Sequence, residues 1–309
     1  MDDLKICLVG FGGIARRYIK ILEKIMISHK LKFHIDVIRS GKSLHINCPE
    51  KYNVIGHNIK NKYLSYDLVF IVSTYPVKLL HLKQLINSKL IFIDKTVFTN
   101  KKEETDFLNT IGEHNFSKIY VGYCLRYHPQ FMRALKLFQE KKDIVSELNL
   151  TYQTNMREWR KDIKFSDSAG GREFFNGGGA VNELSHEVDL LFNFLDINSS
   201  YSPKVVTEWD YLLKHDKSFE VKILSDNVKY KAFVDTSNQS FKRVVEIKTQ
   251  SGKIYRFDLF LKEEIDEMYY EMILDIFLKV QNSKRSIRLP SINNIKNITS
   301  TIEKIHKSY

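Results

Sequence analysis

The most constraining stretch of this chain is Gly10-Phe11-Gly12-Gly13-Ile14-Ala15, which directly follows the apolar run Lys5-Ile6-Cys7-Leu8-Val9 and opens a helical pattern over residues 14–27. In a strand–turn–helix setting each small residue has a task. Gly10 permits the tight turn, Gly12 lets the backbone approach a pyrophosphate, and Ala15 lets helix and strand pack closely. The first N–H groups of the helix face the anion. An ordinary glycine-rich turn is the plainer alternative. The flanking strand and helix favour dinucleotide binding through Gly10, Phe11, Gly12, Gly13, Ile14 and Ala15.

From Leu4 to about Val121, short apolar runs at 5–9, 32–38, 67–73 and 90–94 alternate with helical stretches at 14–27 and 77–86. Strands buried on both faces and separated by helices predict right-handed βαβ units in a parallel sheet. After about Tyr123 the texture changes. Strand patterns at 145–154, 219–224, 229–234, 244–249 and 253–259 are punctuated by Ser225-Asp226-Asn227 and Ser251-Gly252. These predict an open, mainly antiparallel sheet, with one long amphipathic helix over 178–195 and another over 263–280. At 309 residues the chain is long for one core. The reading is an α/β protein: an NAD(P)-binding Rossmann domain over 1–122, a doubly wound parallel sheet, and a substrate-binding α+β domain over 123–309. A final helix at about 292–305 is expected to pack back near the domain interface. No Pro/Gly/Ser-rich tether follows Gly122, which predicts a packed interface and a ligand cleft.

Composition narrows the function. A hydrophobic fraction of 43% and 12% aromatic residues describe a folded, soluble protein. No apolar run approaches the roughly 20 residues of a membrane span, and the start Met1-Asp2-Asp3-Leu4-Lys5 is no signal peptide. Cys7, Cys48 and Cys124 are far apart, which argues against a disulfide framework or a metal site and fits the cytoplasm. The net charge of +11 is spread along the whole chain, so it suits an anionic cofactor or phosphorylated substrate better than nucleic acid.

The strand over residues 33–38 ends in Arg39-Ser40-Gly41-Lys42. That strand end reads the adenosine ribose: an acid there favours NAD, whereas Arg39, Ser40 and Lys42 suit the 2′-phosphate of NADP. Asp36 lies inside the strand and is expected to point away. A register three residues off would make it the ribose reader and NAD the cofactor.

Further segments are Ser73-Thr74-Tyr75-Pro76 with His81 beyond it, Asp94-Lys95-Thr96 at a strand end, the stretch Val121-Gly122-Tyr123-Cys124-Leu125-Arg126-Tyr127-His128-Pro129, and Gly177-Gly178-Gly179-Ala180-Val181-Asn182-Glu183-Leu184-Ser185-His186-Glu187-Val188-Asp189. Together they resemble the glucose-fructose oxidoreductase and inositol dehydrogenase family, Gfo/Idh/MocA, across essentially the whole chain. Asp94-Lys95-Thr96 stands where the family has Glu-Lys-Pro, whose proline commonly forms a cis peptide. Arg157-Glu158-Trp159-Arg160 before Gly170-Gly171-Arg172-Glu173, with Leu184-Ser185-His186-Glu187, resembles a branch found in surface-sugar biosynthesis. The resemblance implies that Ser73, Thr74, Tyr75, Pro76, His81, Asp94 and Lys95 border the cofactor. It also implies that Lys95, Arg126, Trp159, Arg160, Asn182 and His186 meet a sugar substrate.

The chemistry fits those residues. Oxidising a secondary alcohol requires a group that takes the hydroxyl proton, and a histidine with an unperturbed pKa of roughly 6.5 does this near neutrality, which suits His186. Lys95, at the carboxyl end of a parallel strand, stands where open α/β sheets bind ligands. The family places an acid four residues before the histidine. Here Glu183 lies three before and Asn182 four, about 300° and 400° around a helix, so both share a face with His186. Glu183 is the chosen partner. Each residue also has a plainer reading: a structural helix histidine, a solvated lysine, a salt-bridged carboxylate, a core tryptophan. The function predicted is NADP-dependent hydride transfer to or from a sugar. The rivals are an imine or tetrapyrrole reductase and a non-catalytic NADP-binding regulator. The outer face of the second sheet is the surface expected to carry any homo-oligomerisation.

Overall fold

The computed structural model describes residues 3–39, 49, 52–56, 65–73, 77–159, 164–168, 170–174, 178–195, 201–260, 262–282 and 284–307. The chain divides into two compact units. One comprises Met1–Val97, Phe107–Gly122 and Tyr269–Asn293, the other Phe98–Asp106, Tyr123–Met268 and Asn294–Tyr309.

The first unit alternates β1 (Leu4–Val9), α1 (Gly13–Ser28), β2 (Phe33–Arg39), β3 (Asn53–Gly56), β4 (Leu68–Ile71), α2 (Val77–Gln84), β5 (Leu90–Asp94), α3 (Lys101–Ile111) and β6 (Ile119–Gly122), with part of α3 belonging to the second unit. Among the described residues these strands form a six-stranded parallel sheet in the order β3-β2-β1-β4-β5-β6. Every residue of β4 and β6 and the first four of β5 are buried, as strands covered on both faces must be. Tyr18 of α1 packs on Phe70 and Phe92, each ring 5.7 Å away. Gly122 ends β6 because a Cβ there would lie 2.5 Å from the Phe92 ring.

The second unit contains α4 (Pro129–Glu140), β7 (Val145–Asn155), α5 (Ala180–Leu184), α6 (His186–Phe194), β8 (Lys204–Asp210), β9 (His215–Ser225), β10 (Val228–Asp235), β11 (Ser237–Thr249) and β12 (Ile254–Asp258). Helix α7 (Lys262–Gln281) follows, and α8 (Lys296–Lys307) closes the described chain. The sheet order is β12-β11-β7-β10-β9-β8. Alternate residues of β7 are buried, including Leu148, Leu150, Tyr152 and Thr154, so one face is covered, with α6 over β7 and β10. Asp226 and Asn227, at φ 49° and 62°, make the two-residue turn between β9 and β10 that their side chains favour.

The second sheet is open and mainly antiparallel, as expected, with β7 parallel to β10 and the other pairs antiparallel. Two expectations change. The single helix expected over 178–195 is two, because Ser185 at φ −60° and ψ −8° tightens the turn between α5 and α6. Residues 269–293, expected in the second domain, join the first unit: Tyr269 packs on Tyr18 at 6.0 Å and Phe277 on Phe33 at 6.4 Å. Among the described residues no helix is long and apolar enough to cross a membrane.

Candidate cofactor and catalytic sites

In the first unit the chain leaves β1 outward to β2 and β3 and returns to β4, so the order reverses between β1 and β4. Ligands bind at the carboxyl ends of strands flanking such a reversal. Gly10 stands there at φ +95°, with the Val72 carbonyl oxygen and the Ser73 nitrogen 3.2 Å from where its Cβ would be. Only glycine accepts both the conformation and the approach. Gly12 precedes α1, and a Cβ on Gly12 or Gly13 would meet no atom within 4 Å. The turn is therefore open on the side where a pyrophosphate would lie. No side chain caps the first N–H groups of α1, and no acidic residue occupies its first turn, so the amides and the helix dipole are available to an anion. Ala15 is buried against the sheet, as its packing task demands, whereas Ile14 is exposed.

Arg39 is the last residue of β2 and is only 5% exposed. Its guanidinium lies over the Phe11 ring, 5.3 Å from the centroid. Its buried Nε and Nη2 have no hydrogen-bond partner among the described residues, nor has Ser73 Oγ. Buried donors of this kind are ordinarily satisfied. A bound anion would fill them, and these residues fit the phosphates of a dinucleotide. Asp36 is committed elsewhere: its carboxylate accepts from Tyr66 Oη at 2.9 Å and Asn53 Nδ2 at 3.0 Å, and His34 Nε2 is 3.0 Å away. Ser40, Lys42, Thr74, Tyr75, Pro76, Arg160 and Gly177 lie outside the described residues.

His81, expected to border the cofactor, is buried within α2, its Nδ1 3.2 Å from Gln84 Oε1. At the end of β5, Asp94 and Lys95 are partly exposed, and the Lys95–Thr96 peptide is cis. Lys78, which nothing in the sequence singled out, is buried beneath this turn. Its Nζ donates to the carbonyl oxygens of Asp94, Lys95 and Thr96 at 2.9, 3.1 and 2.8 Å.

In the second unit His186 opens α6 and is 9% exposed. Its ring stands edge-on to Tyr123 at 5.8 Å and 85°, and Nε2 lies 3.9 Å from Cys124 Sγ. Glu183 of α5 is partly exposed. Asn182 is buried, and its amide nitrogen donates to the carbonyl oxygens of Phe174 and Gly178, which makes it a brace for the loop before α5. Gly179 at φ +92° is required because a Cβ would lie 2.3 Å from Asp216 Oδ1. Asp216 Oδ2 accepts from Val181 N–H at 2.7 Å, and burial pushes this carboxyl up to about 7.

Arg126, expected at a substrate, is buried and bidentate to Asp189: Nε reaches Oδ2 at 2.9 Å and Nη2 reaches Oδ1 at 2.6 Å. A guanidinium so committed anchors α6 and is not presented to a ligand. Glu187 accepts from Arg243 Nε at 2.7 Å, and the Arg243 guanidinium lies 4.2 Å from the Tyr152 ring centroid. Burial raises the Tyr152 hydroxyl's pKa, with Arg243 opposing and Glu187 and Glu183 reinforcing. Tyr152 and Arg243 thus join the His186 helix to the sheet, a cluster with no local sequence signature. Trp159 is 40% exposed and donates from Nε1 to Thr154 Oγ1 at 2.8 Å, so it rims the same strand end and is not core.

The sequence matches no protein-family model and no curated protein. Solved structures do match over nearly the whole chain. GenD2 from gentamicin A biosynthesis in complex with NAD aligns at TM-score 0.77 and 12% identity, covering 100% of this chain and 94% of its own. A myo-inositol dehydrogenase from Corynebacterium glutamicum aligns at 0.74 and 11%, covering 99% and 96%. A scyllo-inositol dehydrogenase from Lactobacillus casei with bound NAD(H) and scyllo-inositol aligns at 0.74 and 13%, covering 100% and 97%. The chain shares the fold of these solved structures.

Proposed function

We propose that this chain is an NADP-dependent oxidoreductase of the Gfo/Idh/MocA type, acting on a secondary alcohol or ketone of a sugar, including acidic or nucleotide-linked sugars. The observation that carries the reading is the open Gly10–Ala15 turn with a buried, unfilled Arg39 guanidinium beside it. Gly10, Gly12 and Gly13 would hold the pyrophosphate, and Arg39 on Phe11 the 2′-phosphate. Of the solved structures named above, GenD2 holds NAD and the scyllo-inositol dehydrogenase NAD(H). The preference for NADP rests on this chain's own Arg39 and on Asp36, whose carboxylate is occupied. A sugar-like substrate is supported by the scyllo-inositol in the Lactobacillus casei neighbour.

The cofactor, when bound, supplies a hydride acceptor or donor. His186 takes the hydroxyl proton as the carbonyl forms and returns it in reduction. Tyr123 stands edge-on to the imidazole and holds its plane, and Glu183 is the proposed partner carboxylate. Lys95 hydrogen-bonds the substrate oxygen. The test is a panel of inositols, hexoses, hexuronates and nucleotide sugars with NADP+ and NADPH, read by nicotinamide absorbance. Turnover is expected for a sugar, and His186→Ala or Lys95→Ala is expected to lower kcat by about 10²–10⁴ with NADPH affinity retained. A protein that binds NADPH, turns over nothing in the panel and loses no cellular function on His186→Ala would be a regulator and would sink the enzymatic reading.

A further inference from the structure

We infer that Lys78 is a positioning residue for Lys95, a role that rests on the proposed hydrogen bond of Lys95 to the substrate oxygen. Lys78 sits in the first turn of α2 and is 3% exposed, in a chain whose lysines are mostly at the surface. Its Nζ is fanned by three successive carbonyl oxygens, those of Asp94 at 2.9 Å, Lys95 at 3.1 Å and Thr96 at 2.8 Å. An ammonium has three donors and no acceptor, and here it meets three carbonyls of the turn that carries Lys95.

Burying a charge has a desolvation cost that an apolar side chain in the same place avoids, so simple packing does not account for a lysine. What three convergent bonds add is orientation. At the end of β5 the backbone leaves the sheet ladder, and its last carbonyls would otherwise choose their own directions. The three bonds fix the peptide planes on both sides of Lys95, and with them the direction in which its Cα–Cβ bond leaves the backbone. The Lys95 amine, at the tip of a flexible four-carbon stem, is held to a working position only if that base is held. A compact ammonium with three rotatable donors suits three converging carbonyls, whereas the planar fork of arginine does not.

The experiment compares wild type, Lys78→Arg and Lys78→Met for kcat and KM with the sugar that the wild type oxidises, for NADPH Kd and for thermal melting. Alongside these, the proteins are reductively methylated with carbon-13, and the Lys95 resonance is assigned by its loss in Lys95→Arg. Expected are a kcat lower by about 10²-fold in Lys78→Met, an intermediate value in Lys78→Arg, and KM and Kd within threefold of wild type, the scale of loss that a displacement of about 1 Å produces. The Lys95 methyl resonance should move from a distinct position into the envelope of the exposed lysines. An unchanged kcat and Lys95 resonance in Lys78→Met overturns the inference. So does a loss spread equally over kcat, Kd and cooperative melting, which would mark a scaffold role. If Lys78→Met does not fold, Lys78→Arg decides by the same two readouts. If the wild type oxidises no sugar, the proposed function fails, while the Lys95 resonance still decides the positioning role.

Discussion

Replacing Arg39 with methionine separates cofactor reading from fold support, because the two have opposite signs. Methionine keeps the length of the side chain and its packing on Phe11, 5.3 Å beneath the guanidinium, and removes the charge together with the buried, unfilled Nε and Nη2. If both nitrogens serve a 2′-phosphate, two charge-assisted hydrogen bonds are lost. At the lower bound of about 1.5 kcal/mol each, the loss is about 3 kcal/mol, or about a hundredfold in Kd for NADPH. NADH, which lacks that phosphate, should bind within threefold of wild type. Without cofactor the variant sheds two unsatisfied buried donors, of order 1–3 kcal/mol each, against a cation–π contact of about 0.5–2 kcal/mol. Melting should stay level or rise. Fluorescence titration with both reduced cofactors and a thermal melt read the two effects. Equal weakening of NADH and NADPH would mean that Arg39 merely supports the glycine turn, and unchanged NADPH binding would mean that the anion sits elsewhere; either refutes the assignment. Asp36→Ala is the companion control, expected to leave the cofactor preference unaltered because its carboxylate already serves Tyr66 and Asn53.

Asp216 predicts a pH dependence of stability. Burial raises its pKa from 3.8 to about 7, so the folded state binds the proton more tightly than the unfolded one. Its stabilising contribution is complete below about pH 4 and is lost as pH rises to about 7, at most about 4 kcal/mol at 1.36 kcal/mol per pKa unit. Asp216→Asn should flatten that slope and gain stability at pH 8; denaturant melts between pH 4 and 8 that show identical slopes for variant and wild type would contradict it. Gly12→Ala and Gly10→Ala should part company. The first places its methyl in open space, costs less than about 1 kcal/mol of stability and weakens NADPH binding. The second forces a Cβ at φ +95° to 3.2 Å from backbone atoms and costs roughly 1–2 kcal/mol in conformation alone, visible as a lower melting temperature.

Much of the fold was legible because its signals are local. The Gly10–Ala15 turn, the doubly buried strands β4 to β6 and the Asp226-Asn227 turn are each specified by neighbours a few residues apart. Strand β8 escaped because its burial alternates only between exposed and intermediate positions, a weak period-2 signal. The parallel pairing of β7 with β10 escaped because the strands are distant in sequence, and an alternating pattern carries no direction. The same division runs through the site. The proposed role of Arg39 came from its place at a strand end, and that of His186 from a motif resemblance.

The sequence alone therefore determined the chain's periodicities, its glycine turn and the residue types available for chemistry. Tertiary structure decided their partners. Arg126 is spent on Asp189, 63 residues away, Asn182 on the loop before its own helix, and Asp216 on Val181 across 35 residues. Lys78, one among many lysines, became notable only when three carbonyls 16 to 18 residues on converged on it. The reason is physical: backbone preference and side-chain period act over a turn of chain, whereas burial of a charge and the identity of its partner are set by which distant segments the core brings together.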